Sequence, residues 1–114
     1  MSFEQIAHLR DIAENIERIK TYISGLDRDS FGRDGRTFDA VERCLERICE
    51  AATRLGDEAA ELMPDQPWKE IRGTGNWLRH AYHRVDPTII WDTVVNDLPK
   101  LLRDVCAVLE NSSF

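Results

Sequence analysis

The chain is poor in the residues that would brace it covalently, carry it into a membrane or pull it onto nucleic acid. Cysteines number 3, and Cys44, Cys49 and Cys106 form no Cys-x-x-Cys spacing. On a helix Cys44 and Cys49 sit about 140° apart, too far round to share a metal easily. Buried, reduced thiols are the reading that fits. No apolar stretch approaches the ~18 residues of a membrane span. The opening Met1-Ser2-Phe3-Glu4 lacks a basic segment followed by an apolar run, so no signal peptide and a cytoplasmic location are expected. Nothing alternates with a period of two for long enough to make a sheet, and without a strand Gly73-Thr74-Gly75 is not a phosphate-binding loop. No internal repeat is visible. Positive charge is also short: Lys and Arg total 15 against 21 Asp and Glu, a net charge of -6 that argues against broad nonspecific nucleic-acid binding.

What is present is helical periodicity. At 114 residues the chain reads as a single domain spanning 1–114, long enough for a core without disulfide or metal staples. Ile6, Leu9, Ile12, Ile16, Ile19 and Ile23 make one apolar stripe, predicting an amphipathic helix over about 3–25 that ends near Gly25. Leu26 to Thr37, with Gly32, Gly35 and alternating charges, reads as an exposed loop in which Phe31 is able to tuck back on the core.

A second helix is expected from Thr37 as N-cap, with Phe38, Val41, Leu45, Ile48, Ala52 and Leu55 on its stripe. Asp39–Arg43 and Glu50–Arg54 are i,i+4 pairs in the favourable order. Met63 to Pro67 predicts a turn, and Pro67 suits the start of a third helix reaching about Tyr82. Asp86 and Pro87 predict the cap and first residue of a fourth helix, striped by Ile90, Val94, Leu98, Leu101, Val105 and Val108. Pro99 should kink that helix or split it in two. The fold class is therefore all-α, an up-and-down bundle of four to five helices.

The third helix carries the unusual residues. Asn76 and His80 fall one turn apart on one face, with Arg72 and Arg79 nearby and Tyr82 just beyond. From Trp68 to Arg84, Lys69, Arg72, Arg79 and Arg84 face only Glu70, so this stretch reverses the sign of the chain. Gly73 and Gly75 each cost about 1 kcal/mol of helix stability relative to Ala, which suggests close backbone approach. A histidine is suited to proton transfer near neutrality, although His80 alone reads first as a surface or capping residue. Taken singly, Asn76 fits a polar contact and Tyr82 a partly buried aromatic.

The other candidates read as structural. His83 follows His80 by three, but no Glu-x-x-His spacing accompanies it, so no metal site is expected. His8 reads as a surface residue, and Glu42, Glu46 and Glu50 as a solvated helix face. Trp68, Trp77 and Trp91 read as core or interface anchors. No nucleophilic serine or cysteine has a base near it in sequence.

Together, Trp68-x-x-Ile71-x-Gly73-x-x-Asn76-x-Leu78-x-His80-x-Tyr82 followed by Val85-Asp86 resembles the HepT-like family of the HEPN superfamily of helical bundles. The run Asp39-Ala40-Val41-x-Arg43-x-Leu45-Glu46-x-Ile48-Cys49-Glu50-Ala51 looks like that family's second helix, with Cys49 where a glycine is common. Ile90-Trp91 and Asn96-Asp97-Leu98-Pro99-x-Leu101 are similar to its last helix.

The resemblance implies a homodimer whose paired His-containing motifs line one cleft. It also implies a toxin ribonuclease of a toxin–antitoxin pair, acting on RNA without metal or other cofactor. The implied partner is a minimal nucleotidyltransferase antitoxin that silences the toxin by transferring AMP to the motif tyrosine, matched here by Tyr82. The family arginine commonly lies directly before the asparagine, and Gly75 holds that position. Arg72 lies two turns before His80 and is the better substitute by face, whereas Arg79 points about 100° away from His80.

Two readings follow. In the first the protein is an endoribonuclease toxin: His80 is the general base or acid, Arg72 the phosphate-binding cation assisted by Arg79, Asn76 an orienting group, and Tyr82 a substrate contact and modification site. In the second it is a noncatalytic HEPN-like helical dimer, acting as an interaction or nucleotide- or RNA-binding partner of a nucleotidyltransferase.

Overall fold

Local capping chemistry sets where each helix begins. In the computed structural model, which describes residues 1–81 and 85–112, helix α1 runs Phe3–Tyr22. Ser2 and Gln5 close a reciprocal capping box: Ser2 Oγ accepts from the Gln5 N–H at 3.1 Å and Gln5 Oε1 accepts from the Ser2 N–H at 2.7 Å. Ile6, Leu9, Ile12, Ile16 and Ile19 are all buried, as their spacing predicts. The helix stops before residue 25, because the chain turns through Gly25 at φ 81°, where a side chain would be strained.

The segment expected to be a loop instead contains helix α2, Arg28–Arg33. Asp27 accepts from the Ser30 N–H at 2.8 Å, and Ser30 Oγ accepts from the Asp27 N–H at 2.9 Å. This small capping box overcomes the polar, glycine-containing composition because Phe31 anchors the segment. Phe31 is fully buried, with its ring 5.9 Å from Phe38 and 5.4 Å from Trp91.

Helix α3, Gly35–Leu55, begins earlier than the sequence suggests. Its N-cap is Asp34 rather than Thr37: one Asp34 oxygen accepts from the Thr37 N–H at 3.0 Å and the other from the Thr37 hydroxyl at 2.7 Å. A carboxylate placed three residues upstream reaches the free amides better than Thr37 does from within the first turn. The Glu50–Arg54 pair forms at 2.9 Å, but Arg43 turns to Glu46 at 3.1 Å instead of Asp39.

After Gly56, at φ 62°, a short helix α4, Glu58–Leu62, occupies part of the connection. Met63 and Trp68 are buried, and the Trp68 indole N–H donates to the Met63 carbonyl at 2.8 Å. Helix α5, Trp68–Ala81, follows. Asp86 then accepts from the Thr88 N–H at 2.9 Å and caps α6, Pro87–Asn96, as the sequence predicts. Pro99 breaks the final helical run in two: α6 ends at Asn96 and α7 spans Leu98–Glu110, with the proline in its first turn, where a missing N–H costs nothing.

Among the described residues the result is an all-α bundle in which five long helices are joined by two short ones, with no strand. Helix α3 is the central element, packed against α1 and α5, while α1 also packs on α7 and α6 on α7 and α2. Among the described residues no helix is long and apolar enough to cross a membrane.

Candidate functional site on helix α5

Helix α5 is unbroken from Trp68 to Ala81, so its 100° step fixes the angular order of the candidate residues. Arg72 and Arg79 project within about 20° of one another, two turns apart; Asn76 lies about 40° from Arg72 and His80 about 80°. Asn76, Arg79 and His80 are exposed and Arg72 is half-buried. None of the four side chains makes a hydrogen bond or ion pair with another described residue, so two guanidiniums, an amide and an imidazole stand available on one side of the helix. Tyr82, the remaining candidate, lies outside the described residues, as does His83.

The two glycines do different things. Gly73 is exposed and has open space around it. Gly75 is buried against α3: a Cβ built there would fall 2.6 Å from Cys49 Cβ and 3.6 Å from its sulfur. That separation is shorter than real carbon contacts, so the α3–α5 crossing requires glycine at 75 as long as a side chain stands at 49. The Arg79 Nη1 comes within 3.6 Å of the same point. The guanidinium therefore folds back one turn and lies over the position where residue 75 has no side chain.

The thiol beneath is insulated. Burial pushes Cys49 up to about 11, partly opposed by the charge of Arg79 and by the Gly75 backbone against the sulfur. Cys44 is likewise raised by burial, opposed by Arg47 and Arg18. Both cysteines are buried and free, as the sequence reading holds, and Cys106 is half-buried and free. Among the described residues no group of three or more His, Cys, Asp or Glu side chains is placed to hold a metal ion.

Beside Arg79, a polar cleft of about 570 Å³ lies between α1 and α3, lined by both helices and by Arg79 itself. His8, read from sequence as a plain surface residue, lies on its wall, half-buried. So does Asn15, which is 6% exposed, and whose Oδ1 has no hydrogen-bond partner among the described residues. Asn15 is hard to single out from its sequence neighbours. The available signal is angular and slight: Asn15 lies about 40° beyond Ile19 and 60° from Ile12, flanking the edge of the apolar stripe.

The comparisons with known proteins bear on most of the chain. Residues 12–108 match the family model described as Ribonuclease HepT-like. A protein of Thermococcus cleftensis named "Probable ribonuclease HepT" is 38% identical over 94 residues, covering 82% of this chain and 86% of its own. A protein of Methanocaldococcus jannaschii named "Putative RNase MJ0127" is 32% identical over 105 residues, covering 92% and 87%. A third, of Caldanaerobacter subterraneus, named "Putative RNase TTE0752", is 33% identical over 103 residues, covering 90% and 92%. No solved structure matches. The family match spans α1 to α7 and so includes the α5 residues and the helices that position them; the chain belongs to the Ribonuclease HepT-like family.

Proposed function

We propose that this protein is a metal-independent endoribonuclease toxin of a HepT-type toxin–antitoxin pair. The observation that carries the reading is the row of unengaged Arg72, Asn76, Arg79 and His80 side chains on α5 within a chain of the Ribonuclease HepT-like family. RNA brings its own nucleophile. The 2′-hydroxyl attacks the adjacent phosphorus, its proton passes to His80, and the bond to the 5′-oxygen breaks. The products are a 2′,3′-cyclic phosphate and a 5′-hydroxyl, whose oxygen takes a proton from an acid. His80 of a second copy supplies that acid in a composite cleft.

Arg79 and Arg72 stabilise the charge that builds on the phosphorane oxygens. Arg79 is the nearer stand-in for an arginine at 75, because its guanidinium already covers that position. Asn76 orients the phosphate or the imidazole. A homodimer is supported by the outer side of α5, where Gly73 leaves open space and Trp77 stays 37% exposed one turn away, a surface that admits close approach of a second helix. A minimal nucleotidyltransferase is the proposed antitoxin, with Tyr82 as the tyrosine that accepts AMP.

One observation favours the second reading, a noncatalytic helical dimer. Position 75 is sterically closed by Cys49, so the cation reaches the site by a longer path. The test is incubation of purified protein with RNA in the presence of a chelator. Cleavage that disappears in His80→Ala supports the enzyme. Cleavage that survives the substitution removes His80 from the mechanism, and inert wild-type protein favours the noncatalytic dimer.

A further inference from the structure

The polar cleft between α1 and α3 contains a group that folding alone does not explain. Asn15 lines the cleft and its Nδ2 donates to the Asp11 carbonyl at 2.8 Å, while its Oδ1 is sealed from solvent with no hydrogen-bond partner among the described residues. A buried acceptor without a partner is destabilising, whereas leucine at the same point, beside the stripe, would extend the core.

The charges around the cleft point to an anionic visitor. On the α3 wall, Arg43 pairs with Glu46 and Arg54 with Glu50, which neutralises those groups. Three further cations line the cleft without a carboxylate partner among the described residues: Arg18 from α1, Arg47 from α3 and Arg79 from α5. Against them stand Asp11 and Glu14 of α1, which leaves the unpaired charge of the lining positive by one. In a chain of net charge -6 this local excess runs against the overall balance. The convergence of three helices on it cannot be read from any one of their sequences.

We propose that this cleft is a subsite for the single-stranded RNA leading away from the scissile phosphate. Arg79, which also covers Gly75, joins the two regions. Arg18, Arg47 and Arg79 hold backbone phosphates. This assignment rests on the ribonuclease reading for the identity of its ligand.

The experiment measures anisotropy of a short fluorescent single-stranded RNA with His80→Ala protein, which binds without cutting, across a range of salt. Arg18→Ser and Arg47→Ser should each weaken binding roughly threefold to tenfold and flatten the slope of log affinity against log salt by about 0.7. Arg33→Ser, on α2, should change neither. Unchanged affinity and slope in both arginine variants would overturn the subsite. So would a change in their light-scattering mass without a change in RNA affinity, which would make the cleft a contact between copies. Wild-type protein that cuts no RNA while the slopes shift as expected would fail the ribonuclease reading and leave the subsite standing.

Discussion

Cys49 Cβ stands 2.6 Å from the point that a Cβ on Gly75 would occupy, so these two residues on α3 and α5 can carry only one side chain between them. Gly75→Ala gains about 1 kcal/mol of helix propensity but overpacks a buried crossing at a cost of about 1–3 kcal/mol. The expected net result is a lower urea midpoint. In a Cys49→Gly background the same change should become neutral or stabilising, giving a coupling of about 1 kcal/mol or more in a double-mutant cycle. Simple additivity of the two changes would show that the crossing relaxes freely.

The same constraint bears on chemistry. Gly75→Arg alone should unfold or loosen the α3–α5 contact, whereas Cys49→Gly with Gly75→Arg should fold and place a cation directly before Asn76. RNA cleavage by the double variant at or above the wild-type rate is the expected outcome. A folded double variant with no cleavage would detach catalysis from a cation at this point.

Phe31 holds the segment between α1 and α3 to the core through Phe38 and Trp91. Phe31→Ala should cost about 3–5 kcal/mol, as for other buried aromatics, and should change the Trp91 fluorescence of the folded state. Denaturant unfolding monitored by fluorescence checks both. A loss below 1 kcal/mol would mean that α2 contributes little to the fold.

Asp34 carries the acid sensitivity of the α3 cap. The Thr37 N–H and then the Thr37 hydroxyl hold its carboxyl below its ordinary value of 3.8. A depressed carboxyl stabilises the fold above its unfolded pKa, and that contribution disappears as pH falls through the folded value. Asp34→Ala should therefore lower the urea midpoint at neutral pH, with the gap to wild type narrowing below about pH 4. A gap that persists at pH 2 would point to packing rather than charge.

The cysteines give a test of burial that requires no activity. With Cys44 and Cys49 buried and the Cys49 thiol at about 11, neither should alkylate in the folded protein at pH 8. Half-buried Cys106 should react first. Mass spectrometry after brief iodoacetamide treatment, with and without urea, reads the difference.

Much of this was legible because side-chain periodicity is a local property. The isoleucine stripe of α1, the Asp86-Pro87 start and the Pro99 break all follow from residues within a turn or two of one another. The errors arose where a distant partner decided the outcome. Helix α2 forms because Phe31 meets Trp91, sixty positions on, and Arg43 chooses Glu46 over Asp39 in the packed geometry. The α5 residues could be picked out from sequence, but the contact that keeps residue 75 bare depends on how closely α3 approaches. Asn15 was missed for the same reason: its unmet oxygen becomes visible only once α3 is laid against α1.

The three tryptophans divide by environment: Trp68 is 4% exposed, Trp91 lies against Phe31, and Trp77 stands 37% exposed beside Asn76. The first two report on the integrity of the core. Trp77 emits from a partly aqueous setting next to the candidate site, so a second chain, a nucleotidyltransferase or a stacked base arriving there would each alter its emission and its access to a soluble quencher. The molecule thus carries its own optical label, and Trp77→Phe supplies the blank.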